Sequence, residues 1–146
     1  FDPDVSRFDT WPPAILTALG TAPDLLARTV VLAHSVGVQA TLHALAALPD
    51  GRRIAGLLAV AGWWHVDRPW PAIVPWQSTL PDLARVRAAL GSLLVLLSDD
   101  DPFTADHAGN AALWQERLGA RIQQVPGAKH FNTPTSPPVL AALRTL

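Results

Sequence analysis

Residues 29–39 are Thr-Val-Val-Leu-Ala-His-Ser-Val-Gly-Val-Gln, and this stretch decides the fold of the chain. It begins with a short β-branched run, which favours a strand, and the apolar spacing of residues 40–45 that follow is typical of a helix. The sequence therefore predicts a strand, a tight turn and a helix. At such a turn a serine points out from the end of the sheet, and small neighbours let the backbone bend without clashing. For this reason Ser35 is our candidate nucleophile.

Other apolar runs alternate with helical patterns along the rest of the chain. Strands are predicted at residues 54–61, 92–97 and 120–125, and helices at 11–19, from Ser35 to about Leu48, at 81–90 with Gly91 as its stop, at 104–118 and from Pro137 onward. Continuous apolar strands that alternate with helices are typical of a parallel sheet with helices on each side. We therefore expect an α/β fold in a single domain that spans residues 1–146.

The composition excludes several classes of protein. Hydrophobic residues make up 49% of the chain and charged residues 16%, which is typical of a globular protein and not of a disordered one. The formal net charge of -1 indicates no nucleic-acid or anionic membrane partner, and no apolar run approaches the roughly 20 residues of a membrane helix. We expect a soluble, cytoplasmic protein. Because the chain contains no Met, we expect that Phe1 is not the translated start, and a signal peptide before it stays open.

The sequence gives no support for a cofactor or a metal ion. The absence of Cys excludes disulfides, thiolate metal sites and a cysteine nucleophile. The five histidines lack the paired spacing of a zinc site. A calcium loop that started at Asp99 would need Gly and Glu where this chain has Thr104 and Asn110. We therefore expect neither a cofactor nor a metal.

The tryptophan-rich segment, residues 63–76, holds four of the six tryptophans and several prolines, so no long regular element is predicted there. Two interpretations stay open. The segment is either a lid or pocket wall beside the site, or a loop whose tryptophans fill the edge of the core. In the first case Trp63 and Trp64, which follow a predicted strand, are candidate substrate-binding residues.

A serine nucleophile needs a base within hydrogen-bond reach and a group that orients the base. Histidine suits the first task because its pKa lies near neutrality, and a carboxylate suits the second because it fixes the tautomer of the imidazole. Ser35, Asp101 and His130 each follow a predicted strand, where sites form in parallel sheets, and they occur in the chain order of α/β-hydrolases. An alternative stays open for each partner of Ser35. Residues 99–101 would be a polar loop that caps the next helix, and His130 would be an exposed loop histidine without a catalytic role.

The other histidines receive different expectations. His34 precedes the nucleophile, and we expect it to orient or pack beneath the turn, where it is also a candidate substrate contact. His43 is expected to be structural. His65 and His107 are expected at the surface or at the rim of the pocket.

Three motifs together resemble a known family. They are Ala33-His-Ser-Val-Gly37, Ser98-Asp-Asp-Asp-Pro-Phe103 and Gly127-Ala-Lys-His-Phe-Asn132. They are similar to the small serine hydrolases of the retinoblastoma-binding protein nine and YdeN type, and the resemblance extends from about Pro3 to the end of the chain. It implies a three-layer α/β-hydrolase sandwich with a mostly parallel sheet.

The resemblance also implies roles for individual residues. Ser35 would be the nucleophile, His130 the base and Asp101, directly before a proline, the acid, with Asp100 as its rival and Asp99 solvated. The family's first strand and the loop after it, which carry one amide of the oxyanion hole, have no counterpart here. The remaining oxyanion donor would be the backbone N–H of Val36.

The leading hypothesis is a serine hydrolase that cleaves small carboxylic esters, or amides, through an acyl-enzyme on Ser35. The alternative is a non-catalytic protein-binding module that keeps the fold and uses the tryptophan-rich segment for a protein partner. A third hypothesis is a hydrolase-fold enzyme that acts on carbon–carbon bonds or peptides. The expected partner is a small-molecule substrate, and a protein partner stays open.

Overall fold

The structure of the chain, a computed structural model, describes residues 5–146, and the expectation about Phe1 falls outside them. Its helices and strands in chain order are α1 (Trp11–Leu19), α2 (Pro23–Leu26), β1 (Val30–His34), α3 (Val36–Ala46), β2 (Ile54–Val60), α4 (Val74–Ser78), α5 (Leu83–Ala89), β3 (Leu90–Leu97), α6 (His107–Leu118), β4 (Arg121–Gln124) and α7 (Pro137–Leu143). The strands form one parallel sheet in the order β1-β2-β3-β4. This is the predicted α/β architecture. That the family's first strand has no counterpart in the chain stays a prediction.

The central strands β2 and β3 are buried on both faces because helices cover each side of the sheet. Leu57 and Ala59 belong to a core cluster that also contains side chains of α3, α5 and α6. Leu58 and Val60 point the other way and pack with residues of α7. Successive strand residues alternate between the two faces of a sheet, so a strand covered on both faces is apolar at every position.

The carboxyl ends of the strands lie level at one edge of the sheet. The register pairs His34 with Val60 and Val60 with Leu96. The backbone N–H of Ser35 continues the ladder and donates to the carbonyl of Val60 over 2.9 Å. The loops that follow β1, β2 and β3 therefore start from the same edge, where ligand sites of parallel sheets form.

Most of the tryptophan-rich segment lies in the core. Trp63, Trp64 and Trp76 are 3%, 6% and 1% exposed, whereas Trp70 is 47% exposed. Trp63 and Trp76 form a separate apolar cluster against Ala40 of α3. Three of the four tryptophans therefore fill the core, as the second interpretation of this segment expects, and Trp70 does not.

The prediction that Gly91 stops a helix is wrong. Helix α5 ends at Ala89 and passes directly into β3, so that Gly91 is the second residue of the strand. A Cβ atom at Gly91 would lie 2.2 Å from the carbonyl oxygen of Ala55 on the neighbouring strand. The glycine is needed for this close approach of two backbones.

The helix predicted from residue 104 begins later, at His107. Asp106 is its N-cap, and its carboxylate accepts a hydrogen bond from the backbone N–H of Gly109 over 2.8 Å. Gly119 ends the helix in the left-handed conformation at φ 65°, as Gly commonly does. Among residues 5–146, no helix is long and apolar enough to span a membrane.

Candidate active site

Ser35 lies at the turn between β1 and α3 in a backbone conformation that residues other than glycine rarely adopt. Its φ is 52° and its ψ is -125°. Two backbone hydrogen bonds hold this conformation, from Ser35 N–H to the Val60 carbonyl and from Val38 N–H to the Ser35 carbonyl, each 2.9 Å long. Strain of this kind is maintained by the surrounding structure and clusters at functional sites. The strained strand-to-helix turn is the arrangement that exposes a nucleophile at the end of a sheet.

The structure brings Ser35, His130 and Asp101 into one hydrogen-bonded chain. The Nε2 atom of His130 lies 2.9 Å from Ser35 Oγ, and its Nδ1 atom lies 2.8 Å from Asp101 Oδ2. His130 and Asp101 are 7% and 9% exposed. A carboxylate can only accept a hydrogen bond, so Nδ1 carries the proton and the lone pair of Nε2 faces the serine hydroxyl. This is the tautomer that a general base needs.

Each partner of the imidazole is itself fixed. The second carboxylate oxygen of Asp101 accepts a hydrogen bond from the backbone N–H of Phe103 over 3.0 Å. The ring of Phe103 packs edge-to-face on His130 with centroids 4.6 Å apart, and the ring of His34 does the same at 4.9 Å. The imidazole is therefore confined on two sides. Of the three consecutive aspartates, Asp101 is the one whose carboxylate contacts it.

His34 contacts the backbone of the His130 loop. Its Nε2–H donates to the carbonyl of His130 over 2.8 Å. Burial is the largest influence on the pKa of His34 and lowers it, although the hydrogen bond to His130 acts in the opposite direction. The imidazole is therefore neutral at neutral pH, and it joins the strand that precedes Ser35 to the loop that carries His130.

We expect His34 to make the folded state sensitive to acid. Because its pKa is lower in the folded than in the unfolded chain, the unfolded chain binds more protons, and stability falls as the pH drops through the ordinary value of 6.5. In His34→Gln the amide can still donate to the His130 carbonyl but does not titrate. Denaturant unfolding on both sides of this pH should show a smaller acid-induced loss of stability in His34→Gln than in the wild type.

A matched control is His65→Gln, since His65 is exposed and its Nδ1 contacts only the side chain of Gln77, over 2.9 Å. This variant should keep the wild-type pH dependence. An acid-induced loss in His34→Gln as large as that of the wild type would contradict the assignment. Some dependence should remain in every variant, because burial also lowers the pKa of His43.

The backbone N–H of Val36 lies at the start of α3, directly after Ser35. The first N–H groups of a helix have no partner within the helix, and the helix dipole makes this end favourable for negative charge. The position therefore suits an oxyanion donor, and this role, which the family resemblance implies, stays a prediction.

A cavity of about 290 Å³ lies beside Ser35. Its lining residues are mostly apolar and come from the N-terminal segment, the turn and the tryptophan-rich segment: Val5, Ser6, Trp11, Ser35, Val36, Trp70, Ala72 and Ile73. A second cavity of about 540 Å³ lies on the side of His130 and is lined by Pro102, Phe103 and residues of the range 125–138. Ser35 and His130 thus each border a cavity of their own.

The structure does not bring Trp63 and Trp64 to the cavity beside Ser35. Trp64 packs in the core against Trp114, with ring centroids 4.6 Å apart, and Arg117 lies over its ring. The carbonyl of Trp63 accepts a hydrogen bond from Gln39 inside the core. Both residues follow β2 and turn into the core. The prediction that these two side chains contact the substrate is therefore corrected.

Trp11 and Trp70 line that cavity instead. Trp11 opens α1, and no feature of its own sequence links it to the nucleophile. Trp70 stands between Pro69 and Pro71, which indicate an irregular backbone but not which way the tryptophan side chain points.

The remaining histidines lie outside the hydrogen-bonded chain. His43 packs edge-to-face against Phe8 and contacts the carbonyl of Thr79 over 3.2 Å. His107 contacts the carbonyl of Asp101 over 3.3 Å. Within residues 5–146, no group of three His, Cys, Asp or Glu side chains could hold a metal ion.

The chain is similar to a known protein family and to solved structures. Residues 2–136 match the model of the family described as serine hydrolase. The crystal structure of the ydeN gene product from B. subtilis is similar to this chain with a TM-score of 0.75 and 19% sequence identity, over 95% of this chain and 74% of that one. At this identity the likeness shows the fold, which is that of an α/β-hydrolase. A search of curated proteins finds no match.

Proposed function

The chain belongs to the serine hydrolase family, and from this premise we propose that it cleaves small carboxylic esters, or amides, through an acyl-enzyme on Ser35. The observation that carries the proposal is the continuous contact from Ser35 Oγ through His130 to Asp101, with distances of 2.9 and 2.8 Å. A serine in hydrogen-bond reach of a base, which a buried carboxylate orients, is the constellation of acyl transfer.

In the proposed first step, Ser35 Oγ attacks the carbonyl carbon of the ester while His130 Nε2 takes the hydroxyl proton. Asp101 stabilises the resulting imidazolium through its hydrogen bond to Nδ1. The carbonyl oxygen becomes an oxyanion, which the N–H of Val36 stabilises at the start of α3. The tetrahedral intermediate then breaks the bond to the alcohol, and His130 gives its proton to the leaving oxygen.

The second step repeats the first with water as the nucleophile. His130 Nε2 takes a proton from the water, whose oxygen attacks the acyl carbon. The bond between that carbon and Ser35 Oγ breaks, and the proton returns to Oγ. The products are the carboxylic acid, the alcohol and the regenerated serine.

The cavity beside Ser35 supports an acyl group of limited size. Pockets that hold drug-sized ligands are about 300–1,000 Å³, and the cavity of about 290 Å³ lies just below this range. Its apolar wall, which includes Ile73 and Ala72, favours an apolar acyl chain over a charged one. We therefore propose short or compact apolar acyl groups as the substrates.

A series of p-nitrophenyl esters of increasing acyl length tests this proposal. We expect a burst of p-nitrophenol, because the acyl-enzyme accumulates, and a kcat/KM that rises with the first methylenes and then falls. Ala72→Phe should fill the cavity and lower kcat/KM for the best ester about 10- to 200-fold, the range of discrimination that one methylene gives in an apolar pocket. The kcat/KM for p-nitrophenyl acetate should fall much less.

Ala112→Phe is the matched control. Ala112 lines a different cavity of about 460 Å³ beside α6, and the same substitution there should leave the preference for acyl length unchanged. An equal loss for all esters in Ala72→Phe would show that the cavity does not hold the acyl group. No turnover of any ester by the folded protein would contradict the ester proposal itself.

A further inference from the structure

The backbone on both sides of His130 is strained. Lys129 and Phe131 have φ values of 51° and 56°, in the left-handed region that side chains other than glycine rarely occupy. A residue keeps such a conformation only when its surroundings hold it there. The position of the His130 imidazole thus depends on contacts of the loop and not on the intrinsic preference of its residues.

The aspartates that precede Asp101 supply such contacts. Asp99 Oδ1 accepts a hydrogen bond from the backbone N–H of Gly127 over 2.9 Å. Asp100 Oδ1 accepts one from the backbone N–H of Lys129 over 2.7 Å. The second bond is the shorter, and it is made by the strained residue directly before His130. Hydrogen bonds to an ionised acceptor are about twice as strong as those between neutral groups.

Asp100 is itself held by the end of β3. The hydroxyl of Ser98, which is 2% exposed, donates to the same Oδ1 atom over 2.6 Å. The hydrogen bond from Ser98 and then that from Lys129 lower the pKa of Asp100, so the acceptor stays ionised. One carboxylate oxygen therefore joins a buried residue at the sheet edge to the loop that carries the base.

We propose that Asp100 is a positioning residue, whose Oδ1 atom holds Lys129 in its left-handed conformation and so keeps His130 Nε2 within hydrogen-bond reach of Ser35. The inference rests on the proposed function of His130 as the base. Asp100 has no contact with the imidazole and acts on it only through the backbone. The effect of Asp100 on the position of His130 depends on where the Oδ1 atom lies. An effect of negative charge near the site would not depend on this position.

Three substitutions of Asp100 separate geometry from charge. Asp100→Asn keeps an oxygen that can accept both hydrogen bonds, and it should retain most of the wild-type kcat. Asp100→Glu keeps the charge but displaces the carboxylate by a methylene, and Asp100→Ala removes it. We expect both to lower kcat for the best ester about 10- to 100-fold, because small misplacements of reacting groups have effects of this size. KM should change little.

Asp82→Ala is the matched control. Asp82 accepts hydrogen bonds from two backbone N–H groups at the start of α5, at 3.0 and 3.1 Å, and α5 packs against α3 and α6. Its removal deletes at least as many backbone contacts and should leave kcat unchanged. If Asp100→Ala does not fold, the comparison of Asp100→Glu with Asp100→Asn still decides.

A second readout does not require activity. The proton on His130 Nδ1, bonded to Asp101, should give a sharp downfield NMR signal in the wild type, Asp100→Asn and Asp82→Ala, and a broadened or shifted one in Asp100→Glu and Asp100→Ala. The proposal is overturned if that signal and kcat are unchanged in Asp100→Glu, or if Asp100→Asn is as impaired as Asp100→Glu. A protein without ester turnover whose signal responds as expected would overturn the proposed function and leave the positioning role supported.

Discussion

Ser35→Ala is expected to lower kcat for ester hydrolysis by about 10⁴- to 10⁶-fold, the range seen when the nucleophile of a catalytic triad is removed. The side chain supplies the only atom that forms the acyl bond in the proposed mechanism. The fold should survive, because both hydrogen bonds of Ser35 other than the one to His130 are made by its backbone. Steady-state kinetics with the best p-nitrophenyl ester, together with thermal unfolding, measure the two effects separately.

Ser78→Ala provides the control for this substitution. Ser78 is exposed on α4, and its hydroxyl donates only to the backbone carbonyls of Val74 and Pro75. Its kcat should be that of the wild type. A Ser35→Ala protein that keeps more than a few per cent of the wild-type kcat would show that another group forms the acyl bond.

Asp101→Asn is expected to lower kcat by about 10⁴-fold, as the corresponding change does in a serine protease triad. The amide of asparagine can donate to Nδ1 of His130, which then has to accept, so the proton moves to Nε2. A protonated Nε2 cannot take the proton of Ser35. The loss should therefore appear in kcat with little change in fold, since the amide fits the space of the carboxylate.

Two other aspartates test the specificity of this result. Asp106→Asn retains an equally good N-cap for α6 and should keep the wild-type kcat. Asp100→Asn should also retain most of it. If Asp100→Asn lost about 10⁴-fold and Asp101→Asn did not, the acid would be Asp100, the rival that the sequence left open.

Much of the fold could be predicted because its strongest signals are local. The apolar runs of β2 and β3 and the small residues around Ser35 each specify one element. Gly91 was the exception, since a glycine after a helix is the usual sign of a stop. Whether the chain instead continues into a strand that closely approaches Ala55 depends on the neighbouring strand.

The candidate site was predictable in part for the same reason. Ser35, Asp101 and His130 follow strands, and the ends of parallel strands meet at one edge, which brings the three side chains together. The walls of the cavity beside Ser35 were not predictable. Trp11 belongs to the first helix, and only tertiary packing decides that Trp70 stays exposed while Trp63 and Trp64 turn into the core.

The hydrogen bonds of Asp99 and Asp100 could not be predicted from the sequence for a related reason. The run of three acidic residues resembles a solvated loop, and its pairing with the backbone N–H groups of residues 127 and 129 requires the crossing from β3 to β4. A hydrogen bond that a distant backbone N–H donates to a side chain leaves no pattern in a single sequence. Only the structure shows that the two carboxylates accept hydrogen bonds from the backbone of the His130 loop.

The central claim is that Ser35 is a nucleophile activated by His130, and covalent labelling with a fluorophosphonate tests it most directly. The folded protein is incubated with the probe and the modified residue is located by peptide mass spectrometry. The account predicts one phosphonate per chain, on Ser35, and a rate of labelling that falls sharply in His130→Ala. Labelling at another residue, labelling of Ser35 that is as fast in His130→Ala, or no labelling of the folded protein would contradict it.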